Sequence, residues 1–118
     1  MANVRIHGYS GIVQIEKRLQ KQFSSDSVQL RAEPYLWSQK IALNGATPVE
    51  SVVQANDTAT IVFVEVDDGM AVRYEVNPNG PGTSSHRDAS TNSPKLQGSA
   101  PFQWFKGATM SFVDSSAV

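Results

Sequence analysis

Two histidines are the only imidazoles available as bases or metal ligands, His7 near the start of the chain and His86 beside Arg87 and Asp88. An imidazole and a carboxylate two residues apart supply half of a metal site, or a base with its orienting partner. The surrounding sequence favours a plainer reading, solvated polar side chains in a loop, so neither metal nor cofactor is expected. A triad also needs an activated nucleophile, and no serine here lies in a nucleophile-elbow context. Glu65, Asp67, Asp68 and Glu75 are the densest carboxylates. Turn chemistry accounts for Asp67 and Asp68, and the spacing does not match a calcium-binding loop. The segment Asn79-Gly80-Pro81-Gly82 lacks the glycines and the following Lys-Ser/Thr of a phosphate loop. Asn56-Asp57-Thr58 matches a glycosylation sequon but reads as an ordinary turn. No catalytic set emerges, and a non-enzymatic protein is expected.

The bulk composition narrows the partners. The chain has 118 residues and a net charge of −1, with no electrostatic footprint for nucleic acid or a membrane surface. There is no cysteine, which removes disulfides, thiolate metal sites and thiol nucleophiles. The opening MANVRIHGYSG lacks the apolar core of a signal peptide, so cytosolic synthesis is expected. An apolar fraction of 40% is enough for one folded domain.

The elements that must position these residues are mostly strands. The segment 58–76, TATIVFVEVDDGMAVRYEV, carries the strongest turn signal, Asp67-Asp68-Gly69 between two β-branched and aromatic runs. A three-residue loop with Gly69 in a G1 bulge pairs Val66 with Met70, Val64 with Val72 and Val62 with Tyr74, giving one apolar face. Ile61, Phe63, Arg73 and Glu75 then fall on the opposite face, where a second layer or a partner must cover the Ile and Phe. Residues 2–9 alternate as a strand or ordered arm, 12–23 has the spacing of a short helix, and 28–33, 40–43 and 49–54 alternate as strands. Residues 77–101 are rich in Pro, Gly and Ser, and read as one long irregular loop with a short edge strand at 95–97. An aromatic stretch at 102–105 and a last strand at 108–114 follow, with Ala108, Met110 and Phe112 on one face. The expected fold is all-β, an antiparallel sandwich or jelly-roll-like barrel, with residues 1–25 as an N-terminal arm or helix and 26–118 as the sandwich.

The segment 49–116 resembles small β-sandwich virion proteins of tailed bacteriophages. The resemblance lies in the order of its parts: ATPVESVVQANDTATIVFVEV, then DDGMAVRYEVNPNG, a loop containing SPKL, and APFQWFKGATMSFVDSS. It implies a structural protein of the virion, made in the host bacterial cytoplasm. The expected role is a capsid decoration or cement protein, a homo-oligomer (trimer or dimer) seated on the major capsid protein. The candidate contact residues are Ile61, Phe63, Arg73, Glu75, His86, Arg87, Leu96 and Trp104. The alternative is a carbohydrate-binding or host-recognition module that stacks a sugar on Trp37 or Trp104, with Asn79, Asp88 and Asn92 as polar partners. The competing role for Trp37, Phe102 and Trp104 is to anchor the core.

Overall fold

A computed structural model describes residues 2–9 and 35–117. The expected helix at 12–23 and strand at 28–33 lie outside the described residues. These residues form an all-β, two-sheet antiparallel sandwich. Its strands are β1 (Asn3–Tyr9), β2 (Trp37–Ala42), β3 (Val49–Glu50), β4 (Ile61–Val66), β5 (Ala71–Asn77), β6 (Lys95–Gln97), β7 (Ser99–Gln103) and β8 (Thr109–Asp114). Sheet one has the order β2-β1-β4-β7 and sheet two the order β3-β8-β5-β6.

This order overturns the expected hairpin. β4 pairs with β1 and β7, while β5 pairs with β6 and β8, so the two runs belong to opposite sheets. The turn itself forms where expected. The Met70 amide donates to the Asp67 carbonyl at 3.0 Å, and Gly69 sits at φ 75°, a conformation costly for residues with a Cβ. It serves as an arch over the edge of the sandwich, with neither a β4–β5 ladder nor a G1 bulge. Val62, Val64 and Val72 do share one core, with Tyr74 packed against it, but across the gap between sheets. Strand periodicity tells which side chains meet one another; it does not tell whether they meet from neighbouring or facing strands.

Inward residues alternate as the sequence predicts. Val4 and Ile6 of β1, Ile41 of β2, Val62, Val64 and Val66 of β4, Val72 of β5 and Met110 and Phe112 of β8 make the common core. Residues 2–9 are thus a central strand of sheet one, between β2 and β4. The edge strand at 95–97 is present as β6. The segment 99–103, expected to be mostly loop, forms β7, and its Pro101 is tolerated because β7 is an edge strand. The irregular stretch therefore narrows to 78–94.

Gly8 has a specific packing role. A Cβ there would lie 2.4 Å from the indole of Trp37, its cross-strand neighbour, so only glycine lets that ring lie against β1. Trp37 then donates its indole N–H to Asp57 Oδ1 at 2.9 Å, and Trp104 donates to Oδ2 of the same carboxylate at 2.8 Å. Oδ1 also accepts the Ala59 amide at 2.9 Å. A carboxylate only 4% exposed is thereby satisfied by three donors.

Candidate functional site

The outer face of sheet two is polar yet largely buried. Strand alternation turns Val72, Tyr74, Val76, Met110 and Phe112 inward, which leaves Arg73, Glu75, Asn77, Thr109, Ser111 and Glu50 facing out. Segment 78–94 lies over them and hydrogen-bonds all but Thr109, whose hydroxyl donates to Glu50. The Ala89 amide donates to Ser111 Oγ at 2.9 Å, and Ser93 Oγ donates to Glu75 Oε2 at 2.6 Å. Arg73 Nη1 donates to the Ser93 carbonyl at 2.7 Å. Asn77, Ser93, Thr109 and Ser111 are all buried in consequence. A polar layer can be buried this way only if nearly every donor and acceptor finds a partner.

At one end of this layer Glu50, His86 and Asp88 converge. His86 Nε2 lies 2.6 Å from Glu50 Oε1 and 3.9 Å from Asp88 Oδ1, and the three ligand-type atoms lie within 4.8 Å of one another. The other Glu50 oxygen accepts from Asn77 Nδ2 at 3.2 Å and from the hydroxyl of Thr109. The hydrogen bond that protonated His86 donates to Glu50 raises the His86 pKa above its ordinary value, against the opposing effect of burial. His86 and Asp88 are neighbours in the sequence, but Glu50 is 36 residues away from His86 and carries no motif. Only its place on β3, opposite Ser111, brings it in.

The second histidine lies on the outer face of sheet one. His7 Nδ1 is 2.9 Å from Ser38 Oγ and Nε2 is 3.0 Å from Glu65 Oε1, a Ser–His–Glu chain across three strands. No sequence signal marked Ser38 or Glu65 as partners of His7. Ser38 lies within an ordinary β-strand, whereas a nucleophile elbow presents its serine on a sharp strand-to-helix turn. The ring of Tyr35 packs on His7, with centroids 5.0 Å apart.

The acidic cluster of 65–75 is dispersed by the fold. Glu65 binds His7, and Glu75 lies on the other sheet. Asp67 Oδ2 accepts the amide and the side chain of Asn3, each at 3.0 Å. These two bonds, the backbone one foremost, hold the Asp67 pKa below the ordinary carboxylate value.

The expected contact residues do not form one surface. Ile61 and Phe63 are on sheet one, Arg73 and Glu75 on sheet two, because the arch replaces the hairpin. Ile61 and Phe63 are 9% and 7% exposed, so the sheet is covered on both faces there. Leu96 lies opposite Val72 in the core, and Trp104 is 3% exposed. Arg73 and Glu75 bind Ser93 rather than each other, with Glu65 on the opposite sheet. His86 is half-buried against Glu50, and Arg87 is the one exposed member of the set. Trp104 anchors the core, its ring 5.9 Å from that of Trp37, and offers no open platform to a sugar. Asp88 and Trp104 belong to different parts of the fold, one on the outer polar layer and one inside.

Exposed apolar residues lie elsewhere. Leu36 is 49% exposed, Val52 63% and Val53 46%. Leu36 directly precedes edge strand β2, and the Val52 amide is bonded to the Gln39 side chain of that strand at 3.0 Å. Among the described residues no helix is long and apolar enough to cross a membrane. Comparison of the chain with protein-family models, curated proteins and solved structures finds no match.

Proposed function

We propose that this chain is a non-enzymatic structural protein of a phage virion, a decoration protein that seats on the major capsid protein as a homo-oligomer and stabilises the shell. The observation that carries this reading is the apolar flank along β2, where Leu36, Val52 and Val53 stand exposed beside a strand edge that no other strand among the described residues shares. Exposed aliphatic residues grouped at a strand edge are suited to a protein partner, through apolar burial and added strand pairing. The resemblance of 49–116 to small virion β-sandwiches points the same way and supplies the identity of the partner. With Trp104 buried in the core, the sugar-binding alternative loses one of its two stacking residues.

The test is thermal unfolding of purified capsids that lack a decoration protein, with and without the added chain. A saturable rise in shell melting temperature is expected, lost in the double variant Val52→Asp/Val53→Asp. No rise at saturating protein would remove the reading. Light scattering of the free protein should show a stable trimer or dimer, and a strict monomer at all concentrations would count against self-association.

A further inference from the structure

We propose that Glu50, His86 and Asp88 form a binding site for a first-row divalent transition-metal ion, with zinc as its best probe. The carboxamide of Asn77 grips the Arg87 peptide on both sides: its Oδ1 accepts the Arg87 amide at 2.9 Å and its Nδ2 donates to the Arg87 carbonyl at 3.0 Å. Arg87 is the residue between His86 and Asp88, so this grip fixes the backbone from which both project. Asn77 Nδ2 also reaches Glu50 Oε2, where the Thr109 hydroxyl donates too. One carboxylate oxygen is thus occupied, and Oε1 is left aimed at His86 Nε2. Asn77 and Thr109 are 3% and 0% exposed. The ligand atoms therefore stand on a buried supporting layer of the kind that orients metal ligands.

The donor set selects the ion. One imidazole nitrogen and two carboxylates suit zinc and its neighbours, with a remaining position open to water or to a partner's side chain. Calcium asks for about six to eight oxygens, and three protein ligands that include a nitrogen serve it poorly. The geometry needs little adjustment. Ligand atoms about 2.0–2.1 Å from a tetrahedral ion sit about 3.3 Å apart. From 2.6 Å the Glu50–His86 separation must widen, and from 3.9 Å the Asp88–His86 separation must narrow. The Asp88 side chain is 67% exposed and can make its share of the movement freely. The inference does not rest on the virion reading.

The experiment is calorimetric titration of the tag-free full chain with zinc chloride near neutral pH, with magnesium and calcium chloride run alongside. One saturable zinc site of about micromolar Kd is expected, at least tenfold tighter than calcium or magnesium. Asp88→Asn and His86→Asn should each weaken it about 10-fold or more, while His7→Ala leaves it unchanged. Two-dimensional NMR should place the zinc-induced shift on the His86 ring. Asp88→Asn alters an exposed side chain that contributes little to folding, so its result is readable even if Glu50 variants unfold. Absence of saturable zinc binding up to about 1 mM would overturn the proposal. So would affinity equal for zinc and calcium, or binding unchanged in Asp88→Asn and lost in His7→Ala.

Discussion

The two sheets share one core, but their outer faces are finished by different physics. On sheet one the outer positions of β1 and β4 carry Tyr9, Ile61 and Phe63, all buried, with Tyr35 edge-on to Tyr9 at 6.4 Å, and only beyond them the half-buried His7–Glu65 pair and exposed Arg5. On sheet two the matching positions carry buried Asn77, Thr109 and Ser111 and half-buried Glu75 and Arg73, under a loop that hydrogen-bonds all of them but Thr109, whose hydroxyl donates to Glu50. Apolar burial is non-directional and scales with area. A hydrogen-bonded layer is directional, and its cost falls on the group left without a partner. Sheet one should therefore respond to lost volume in a graded way, and sheet two to lost partners nearly all at once.

Four measurements sharpen that contrast. Phe63→Ala should cost about 3 kcal/mol in urea unfolding and Phe63→Leu under about 1.5 kcal/mol, as a buried apolar site predicts. Equal losses for both variants would break the account of sheet one. Asn77→Ala should cost about 2 kcal/mol, since the Arg87 peptide and Glu50 lose their partner together. Proteolytic nicking within 78–94 should rise in step with that loss. The same instability without new cleavage would mean that the loop is held by something other than the polar layer.

Acid offers a third probe. The Asp114 pKa is lowered by the Ser116 hydroxyl first, then by the Ser116 amide, with the Ala2 amide adding to it. Asp67 is lowered by Asn3. A carboxylate whose folded pKa lies below its unfolded value contributes stability that is complete above the unfolded value, 3.8 here, and is lost as pH falls through the folded one. Melting temperature should not fall between pH 7 and about 5, where the raised His86 pKa adds stability on protonation, and should then drop on further acidification. Asp67→Asn and Asp114→Asn should each flatten that drop. A profile unchanged in both would show that neither carboxylate is coupled to folding. The smallest effect concerns Ser38. Ser38→Ala should cost about 0.5–1 kcal/mol through the lost bond to His7, and a fluorophosphonate should not label the wild-type chain. Stoichiometric labelling at Ser38 would turn the Ser–His–Glu chain into an active triad and refute the non-enzymatic reading.

Much of the fold was legible because local chemistry controls it. The Asp67-Asp68-Gly69 turn, the Asn44-Gly45 turn with Gly45 at φ 63°, the 95–97 edge strand and the shared face of Ala108, Met110 and Phe112 follow from residue type and alternation. The composition of the 77–101 stretch opposes strands and reads as one loop with a short edge strand at 95–97. β7 nevertheless begins inside it, at Ser99, because an edge position leaves Pro101 free of any need to donate. Glu50 was invisible as a site residue, because its partners are remote in the chain and meet it only through the β3–β8 pairing.

By itself, then, the sequence determined the class of the fold, the positions of several turns and which side chains face the core. Those properties depend on neighbours within a few residues. The tertiary structure alone decided that β4 and β5 face each other rather than pair, that segment 78–94 covers the polar face, and that Glu50 joins His86 and Asp88. These are long-range choices, set by which arrangement buries the most apolar surface while leaving the fewest polar groups unsatisfied.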